Sequence, residues 1–271
     1  MTGALVAYRW ELRKLVAQKR TYIGLGAAAL LPVVFVTVMA LQKGGPYDAP
    51  LGHNLRRTGL ALALVVLNFV SRFGAQLAAA LVAGDIVASE HAGKTLKMIL
   101  TRSLRRGQIL AGKTLASFTY VLATILVLGT AGLVAGSAAW GFNPLTNLSG
   151  VRVSALHTLW LSAAALGVFS LPLIAVAAFA ILLSTLTRNS AASIVGTLVY
   201  ALGQEAIAGL VHQSWAKHYL LSDQFDGWHG LFMSPIDWTL IARAAWVSAI
   251  FAAVPLALAY AIFKSRDVAD D

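Results

Sequence analysis

Six long apolar stretches, joined by short polar connections, dominate this 271-residue chain. An α-helix needs about 20 apolar residues to cross the hydrocarbon core of a bilayer, which is about 30 Å thick. Backbone N–H and C=O groups find no water there, and a helix satisfies them internally. The sequence therefore predicts an all-α, polytopic membrane protein. We place the six spans at residues 22–41, 58–83, 114–137, 155–183, 191–211 and 239–263.

Composition supports this prediction. The chain is 58% apolar and 12% charged, whereas soluble domains are about 45–50% apolar and about 25% charged. A soluble fold of this size has too little interior to hold the surplus, which must face lipid. Residues 22–271 are predicted to form a single six-span domain, leaving no room for a separate catalytic domain. We expect no enzymatic activity and no cofactor in this chain.

The N-terminal segment, residues 1–21, has the pattern of an amphipathic interfacial helix. Trp10 and the arginines around it suit the headgroup region of a bilayer. We predict that this helix lies on the membrane rather than in it. At 100° per residue its apolar side chains share one face: Leu5, Tyr8, Leu12, Leu15 and Val16.

The charge is strongly positive, with 21 Lys and Arg against 11 Asp and Glu. In a membrane chain this predicts basic cytoplasmic loops rather than a nucleic-acid partner. If the N-terminus is cytoplasmic, fourteen basic residues fall in the inside segments and five in the outside loops. Both termini are therefore predicted to face the cytoplasm, with the chain in the inner or plasma membrane of a bacterial cell. The chain has no cysteine, which excludes disulfides and Cys-ligated metals.

Residues 107–114 match the phosphate-loop pattern G-x4-G-K-T. That loop works when a buried strand leads into it, so that backbone N–H groups surround the phosphates. Here a run of basic residues precedes the loop and a membrane span follows it. We therefore predict that this chain binds no nucleotide, and that Lys113 extends to the membrane surface at the mouth of the third span.

Three histidines, His212, His218 and His229, lie in the loop before the last span, among three tryptophans. Their spacing matches no compact ligand motif, and an aromatic belt at the bilayer surface is the ordinary explanation of such a loop. No metal site is predicted, although a metal role of these histidines stays open.

Residues 84–113 form the longest strongly charged connection. From Ala92 onward the apolar side chains cluster on one arc and the basic ones surround it. We predict a short helix lying flat at the cytoplasmic surface between the second and third spans, with its basic side toward the cytosol.

Here the chain resembles the membrane permeases of ABC exporters, the ABC-2 type family. The family pattern is an acidic residue, four others, then T-L/I-K/R-x-L-L-T-R, followed by S/R-x3-L-x2-K. Two residues depart from this pattern. Lys94 stands where the family usually has glycine, and Ser103 stands where it often has proline. The pattern is filled by Glu90, Thr95, Leu96, Lys97, Ile99, Leu100, Thr101, Arg102, Arg106, Leu110 and Lys113.

The resemblance implies a permease subunit that works as a dimer, expected to be a homodimer, with two separate ATPase subunits that carry the ATP and magnesium. Residues 90–113 would then be the coupling helix. It leaves open the substrate, a homodimeric or heterodimeric permease, and any accessory subunits. The residues expected to couple to the ATPase are Glu90, Thr95, Lys97, Arg102, Arg106, Lys113, Arg9 and Lys14.

A second set of polar residues lies inside the spans. A mid-span arginine costs about 3 kcal/mol to insert, so Arg72 is not expected to face lipid. Counting along straight helices separates Arg72 from Glu205 by roughly 12 Å in depth. We therefore favour a substrate-pathway role for Arg72, in which it meets an anionic group of the substrate, over a structural Arg72–Glu205 ion pair. The predicted pathway residues are Asn68, Arg72, Gln76, Gln204 and Glu205.

Two other functions remain as alternatives. One is a secondary transporter or channel that acts alone, which should carry ionisable residues in several spans. The other is a membrane protein that handles a metal or haem.

Overall fold

A computed structural model describes residues 3–41, 51, 54, 57–92, 104–211 and 213–265. These residues are mostly helical, as predicted. A two-stranded antiparallel hairpin, β1 (Leu145–Thr146) and β2 (Arg152–Val153), lies between α6 and α7. A 3₁₀ helix at Ser222–Phe232 precedes α10. The α-helices are α1 (Gly3–Ala17), α2 (Lys19–Leu41), α3 (Gly59–Arg72), α4 (Gly74–Ala83), α5 (Ala88–Ala92), α6 (Arg106–Trp140), α7 (Ala155–Thr187), α8 (Ser190–Leu210), α9 (Ser214–Lys217) and α10 (Trp238–Ser265).

In the described residues, five helices are long and apolar enough to cross a membrane: α2, α6, α7, α8 and α10. The prediction of an all-α chain with several membrane-crossing helices is confirmed. The second predicted span, 58–83, is broken into α3 and α4, with a bend of 47° at the break. The break falls at Phe73, between the charged Arg72 and Gly74. Glycine weakens a helix by about 1 kcal/mol relative to alanine, which favours the break here.

The helix before the bend, α3, is largely buried, with 11 of its 14 residues shielded from the surface. Leu60, Leu62, Leu64 and Val66 are completely buried. A helix that is apolar on all sides is buried, and here α6 and α7 cover it. Lipid therefore contacts the outer helices, while α3 forms part of the protein core.

Small residues bring α3 and α6 close together. The spacing of Gly132 and Gly136 on α6 is typical of close helix contacts in membranes. A Cβ on Gly136 would lie 2.6 Å from the carbonyl oxygen of Gly59, so this contact needs glycine. Gly132 faces Ala63 one turn further along. Both glycines therefore pack against α3.

The N-terminal helix packs on α6, and it does so with only part of its predicted apolar face. Ala7, Glu11 and Leu15 are buried, whereas Leu5 and Val16 of the predicted apolar face are exposed. Tyr8 and Leu12 of that face pack against the core only in part. The helix turns its Ala7–Glu11 side toward α6 because Glu11 meets a buried lysine there.

Candidate functional site

Four charged side chains form a cluster where α1, α5 and α6 meet, and all of them except the partly exposed Lys14 are buried. We call Glu11, Lys14, Glu90 and Lys113 the lysine cluster. The Lys113 ammonium lies 2.8 Å from a Glu11 oxygen and 2.7 Å from a Glu90 oxygen. It also donates to the Ile86 carbonyl oxygen at 3.1 Å. Lys14 reaches Glu90 at 2.6 Å. The two lysines and two glutamates balance, which limits the cost of burying them.

This geometry corrects one prediction. Lys113 does not extend to the membrane surface, because its side chain is 0% exposed and pairs with two carboxylates. Glu90 is also buried, at 3% exposed, and it pairs with Lys14 and Lys113. A buried ammonium group needs such carboxylates, because water cannot solvate it inside the protein.

The other predicted coupling residues are spread over the same region. Arg9 is exposed on α1. Arg106 begins α6 and donates to the carbonyl oxygen of Lys264 at 3.3 Å. Thr95, Lys97 and Arg102 lie outside the described residues, as does the rest of the stretch 93–103. Residues 106–113 of the predicted coupling helix are the first turns of α6 and not a separate helix.

An open cavity of about 500 Å³ adjoins the lysine cluster at the start of α2. Arg20 pairs with Asp85 and also donates two hydrogen bonds to the Gln18 side-chain oxygen. Ser89 donates to the Asp85 carbonyl oxygen. The cavity therefore lies between the first span and the connection after α4.

A second charged cluster, the arginine cluster, lies at the break between α3 and α4. Arg72 bridges two carboxylates, Glu205 on α8 at 3.2 Å and Asp226 of the 3₁₀ helix at 2.6 Å. Asp223 of the same 3₁₀ helix lies 3.3 Å from Arg243 on α10 and 3.2 Å from His218. We define the arginine cluster as Arg72, Glu205, Asp223, Asp226 and Arg243.

The pathway residues predicted from the sequence come together here. Arg72 donates to Asn68 at 3.4 Å. Gln76, Gln204 and Glu205 line a narrow cavity between α4, α8 and the 3₁₀ helix. Gln204 accepts a hydrogen bond from the Leu221 backbone, which anchors the 3₁₀ helix to α8. The five residues therefore belong to one polar site.

The depth estimate was wrong. Arg72 and Glu205 form the ion pair that a 12 Å separation argued against. Counting along straight helices fails next to a 47° bend, and the long side chains cover the remaining distance. The pair does not by itself decide the role of Arg72 in a pathway.

Sequence reasoning missed Asp226 and Asp223. One pattern in the sequence could have indicated them: a charged or titratable residue recurs at every third position, at 223, 226 and 229. Residues three apart share one edge of a 3₁₀ helix. Runs of 3₁₀ helix longer than three to four residues are uncommon, and nothing in the segment's composition indicated one.

The loop that carries His218 and His229 is also more buried than an aromatic belt at a bilayer surface would be. Trp228 is completely buried and packs on Phe169 and Phe232, while Trp215 and Trp238 are exposed. Burial lowers the pKa of the His229 imidazole, and the Asp226 carboxylate opposes that shift. In the described part of the chain, no group of three or more His, Cys, Asp or Glu residues is arranged to hold a metal ion. His212 lies outside that part.

The comparison with family models supplies the chain's classification. The model of a family described as "Protein of unknown function (DUF2705)" matches residues 29–269. The chain belongs to this family. The matched region of this DUF2705 protein includes every residue of the arginine cluster, and Glu90 and Lys113 of the lysine cluster. No curated protein matches the sequence.

Proposed function

We propose that this protein is the membrane permease of an ATP-driven exporter of the ABC-2 type. It works as a dimer with two separate ATPase subunits, which bind ATP and magnesium, and both of its termini face the cytoplasm. In this proposal α3 and α4 together are the second of six spans, and the residues after Glu90 are the coupling helix. The support is the family resemblance of residues 90–113 together with the helical, membrane-crossing fold.

The lysine cluster is the single observation that carries the proposal. A coupling element must pass the movement of an ATPase to the spans, so it needs a rigid attachment. Ion pairs of 2.6–2.8 Å join three parts of the chain in this cluster. These parts are α1, Glu90 at the start of the coupling motif, and the first turns of α6. Lys14, Glu90 and Lys113 thus act as positioning residues behind the docking surface rather than as contacts of the ATPase.

The experiment tests the part of the motif that lies outside the lysine cluster. Because Glu90 is buried between two lysines, replacing it would disturb folding as well as coupling. Arg102→Ala is therefore the better variant, and Arg152→Ala, on the hairpin between α6 and α7, is the matched control. With the partner ATPase in proteoliposomes, we expect the Arg102→Ala permease to change the ATPase rate several-fold less than wild type does. Equal ATPase rates with wild type and with both variants would show that the motif does not take part in coupling.

The arginine cluster favours a second candidate function, a secondary transporter that acts alone. Its five charged residues join helices α3, α8 and α10 through the 3₁₀ helix, and ionisable groups inside a membrane bundle are typical of ion and proton pathways. This candidate predicts transport that follows an ion gradient and continues without ATP. The permease proposal predicts that transport stops when ATP is withdrawn and the gradient is kept.

A further inference from the structure

The open cavity at the start of α2 is lined largely by charged and polar side chains. It has a volume of about 500 Å³ and lies between the end of α1, the first turn of α2 and the connection that follows α4. Its lining residues are Lys14, Gln18, Lys19, Arg20, Asp85, Ser89 and Glu90.

The positive charges of this cavity outnumber the negative ones. Its two carboxylates are already neutralised, Asp85 by Arg20 and Glu90 by Lys14 and Lys113. Lys19 is exposed, and no carboxylate in the described residues lies within ion-pair distance of it. The cavity therefore presents an uncompensated ammonium group beside two further basic side chains.

The position of α2 places this charge at the membrane surface. The helix has 23 residues, which makes it about 34 Å long and matches the hydrocarbon core of about 30 Å. Its first residue, Lys19, therefore lies at the headgroup level. Ile23, one turn later, is 71% exposed, as expected of a side chain in contact with lipid tails.

The neighbouring surface of α1 has interfacial chemistry. Trp10 is 58% exposed, and the Arg13 guanidinium lies 5.6 Å from the centre of its ring. Tryptophan and arginine suit membrane surfaces because each side chain has an apolar part, which can contact lipid, and a polar end, which can contact water. Trp10 and Arg13 thus extend the basic, lipid-facing surface from the cavity along α1.

We propose that this cavity binds the headgroup of an anionic phospholipid. Lys19 contacts the phosphate, and the acyl chains lie along α2 past Ile23. The bound lipid would fix the angle between α1 and α2, which meet at Gln18.

Native mass spectrometry of the full chain in mild detergent tests this assignment with two lipid probes, phosphatidylglycerol and phosphatidylcholine. We expect wild type to retain phosphatidylglycerol more tightly. Lys19→Gln should weaken its binding about fivefold, since a lysine near a charged membrane surface contributes about 1 kcal/mol. Lys264→Gln, at the exposed end of α10, removes the same charge outside the cavity and should bind as wild type.

Three results would overturn the proposal. One is equal retention of the two lipids by wild type. The second is unchanged phosphatidylglycerol binding by Lys19→Gln, or an equal loss in Lys264→Gln, which would mean general charge attraction. The third is displacement of the lipid by millimolar inorganic phosphate, which would assign the cavity to a free anion. Thermal melting in phosphatidylcholine alone checks that both variants are folded.

Discussion

At the scale of single residues, two cations determine how the helices pack. Neither would be stable in or near a membrane span without a carboxylate partner. Lys113 is completely buried and Arg72 sits at a helix break, yet each is held between two carboxylates. Burying an ion costs several kcal/mol, and a partner on the facing helix is what offsets that cost. Each cation therefore fixes which helices meet, and each makes a specific prediction.

Removing the buried lysine should destabilise the fold strongly. Lys113→Met keeps the volume but removes the lysine that pairs with both Glu11 and Glu90. Breaking a buried ion pair by removing one partner costs about 3–5 kcal/mol. We expect a clear fall of the thermal melting temperature in detergent. Lys264→Met, at an exposed position, should change the melting temperature little. Melting of Lys113→Met at the wild-type temperature would show that the cluster does not hold α1.

The role of Arg72 can be separated from its ion pairs by charge exchange. Arg72→Glu with Glu205→Arg restores one pair but places a glutamate beside or near Asp226, which Arg72 also contacts. We therefore expect the exchange to recover folding only in part, whereas a triple variant that adds Asp226→Asn should recover it further. Melting temperature and folded yield measure this. Full recovery by the double exchange would mean that the contact with Asp226 contributes nothing.

At the scale of elements, the contact between α1 and α6 depends on a missing side chain. A Cβ on Gly112 would lie 2.6 Å from the Cβ of Ala7 and 2.7 Å from the backbone nitrogen of Tyr8. The second of these atoms is backbone and does not move without the helix. The two helices therefore approach as closely as glycine allows, and this closeness lets Glu11 reach Lys113.

Gly112→Ala should push α1 away from α6. Elsewhere in a helix the same change gains about 1 kcal/mol, because alanine is the better helix former. Gly167→Ala on α7, where nothing lies within 4 Å of the added Cβ, is the matched control. We expect the melting temperature to fall for Gly112→Ala and to hold or rise for Gly167→Ala. If the two variants shift in the same direction, the α1–α6 contact is not tight.

The elements also show what was predictable from the sequence. The apolar runs gave α2, α7, α8 and α10 close to their ends, because length and hydropathy are local properties. The break at Phe73 and the long 3₁₀ helix were missed, because contacts distant in sequence decide them. For the same reason, sequence reasoning placed Arg72 and Glu205 in one set of residues but argued against their ion pair, and it missed Asp223 and Asp226. Lys113 was expected at the surface, since nothing near it in sequence shows that Glu11 lies opposite.

At the scale of the whole molecule, the number of spans determines where the ends lie. If the bent α3–α4 pair counts as one crossing, the chain crosses six times and both ends share one side. If the pair does not cross, five helices put the ends on opposite sides. The basic residues favour six, because fourteen of the 21 then face the cytoplasm.

The absence of cysteine makes this topology easy to measure. Leu5→Cys on α1 and Lys264→Cys at the end of α10 add single exposed thiols. Val151→Cys adds one on the hairpin connection. In intact cells, a membrane-impermeant maleimide should label Val151→Cys only, and it should label the other two after permeabilisation. Labelling of Leu5→Cys or Lys264→Cys, but not of both, in intact cells would contradict six crossings.

The central claim is that this chain works with a separate ATPase, and co-purification from native membranes tests it most directly. The tagged chain is solubilised in mild detergent, purified, and assayed for accompanying proteins and for ATP hydrolysis. The account predicts that an ABC-type ATPase subunit co-purifies in equal number with the permease, and that its ATP hydrolysis is recovered with the complex. A folded, detergent-stable chain that repeatedly purifies without any ATPase, and without ATP hydrolysis, would contradict the account.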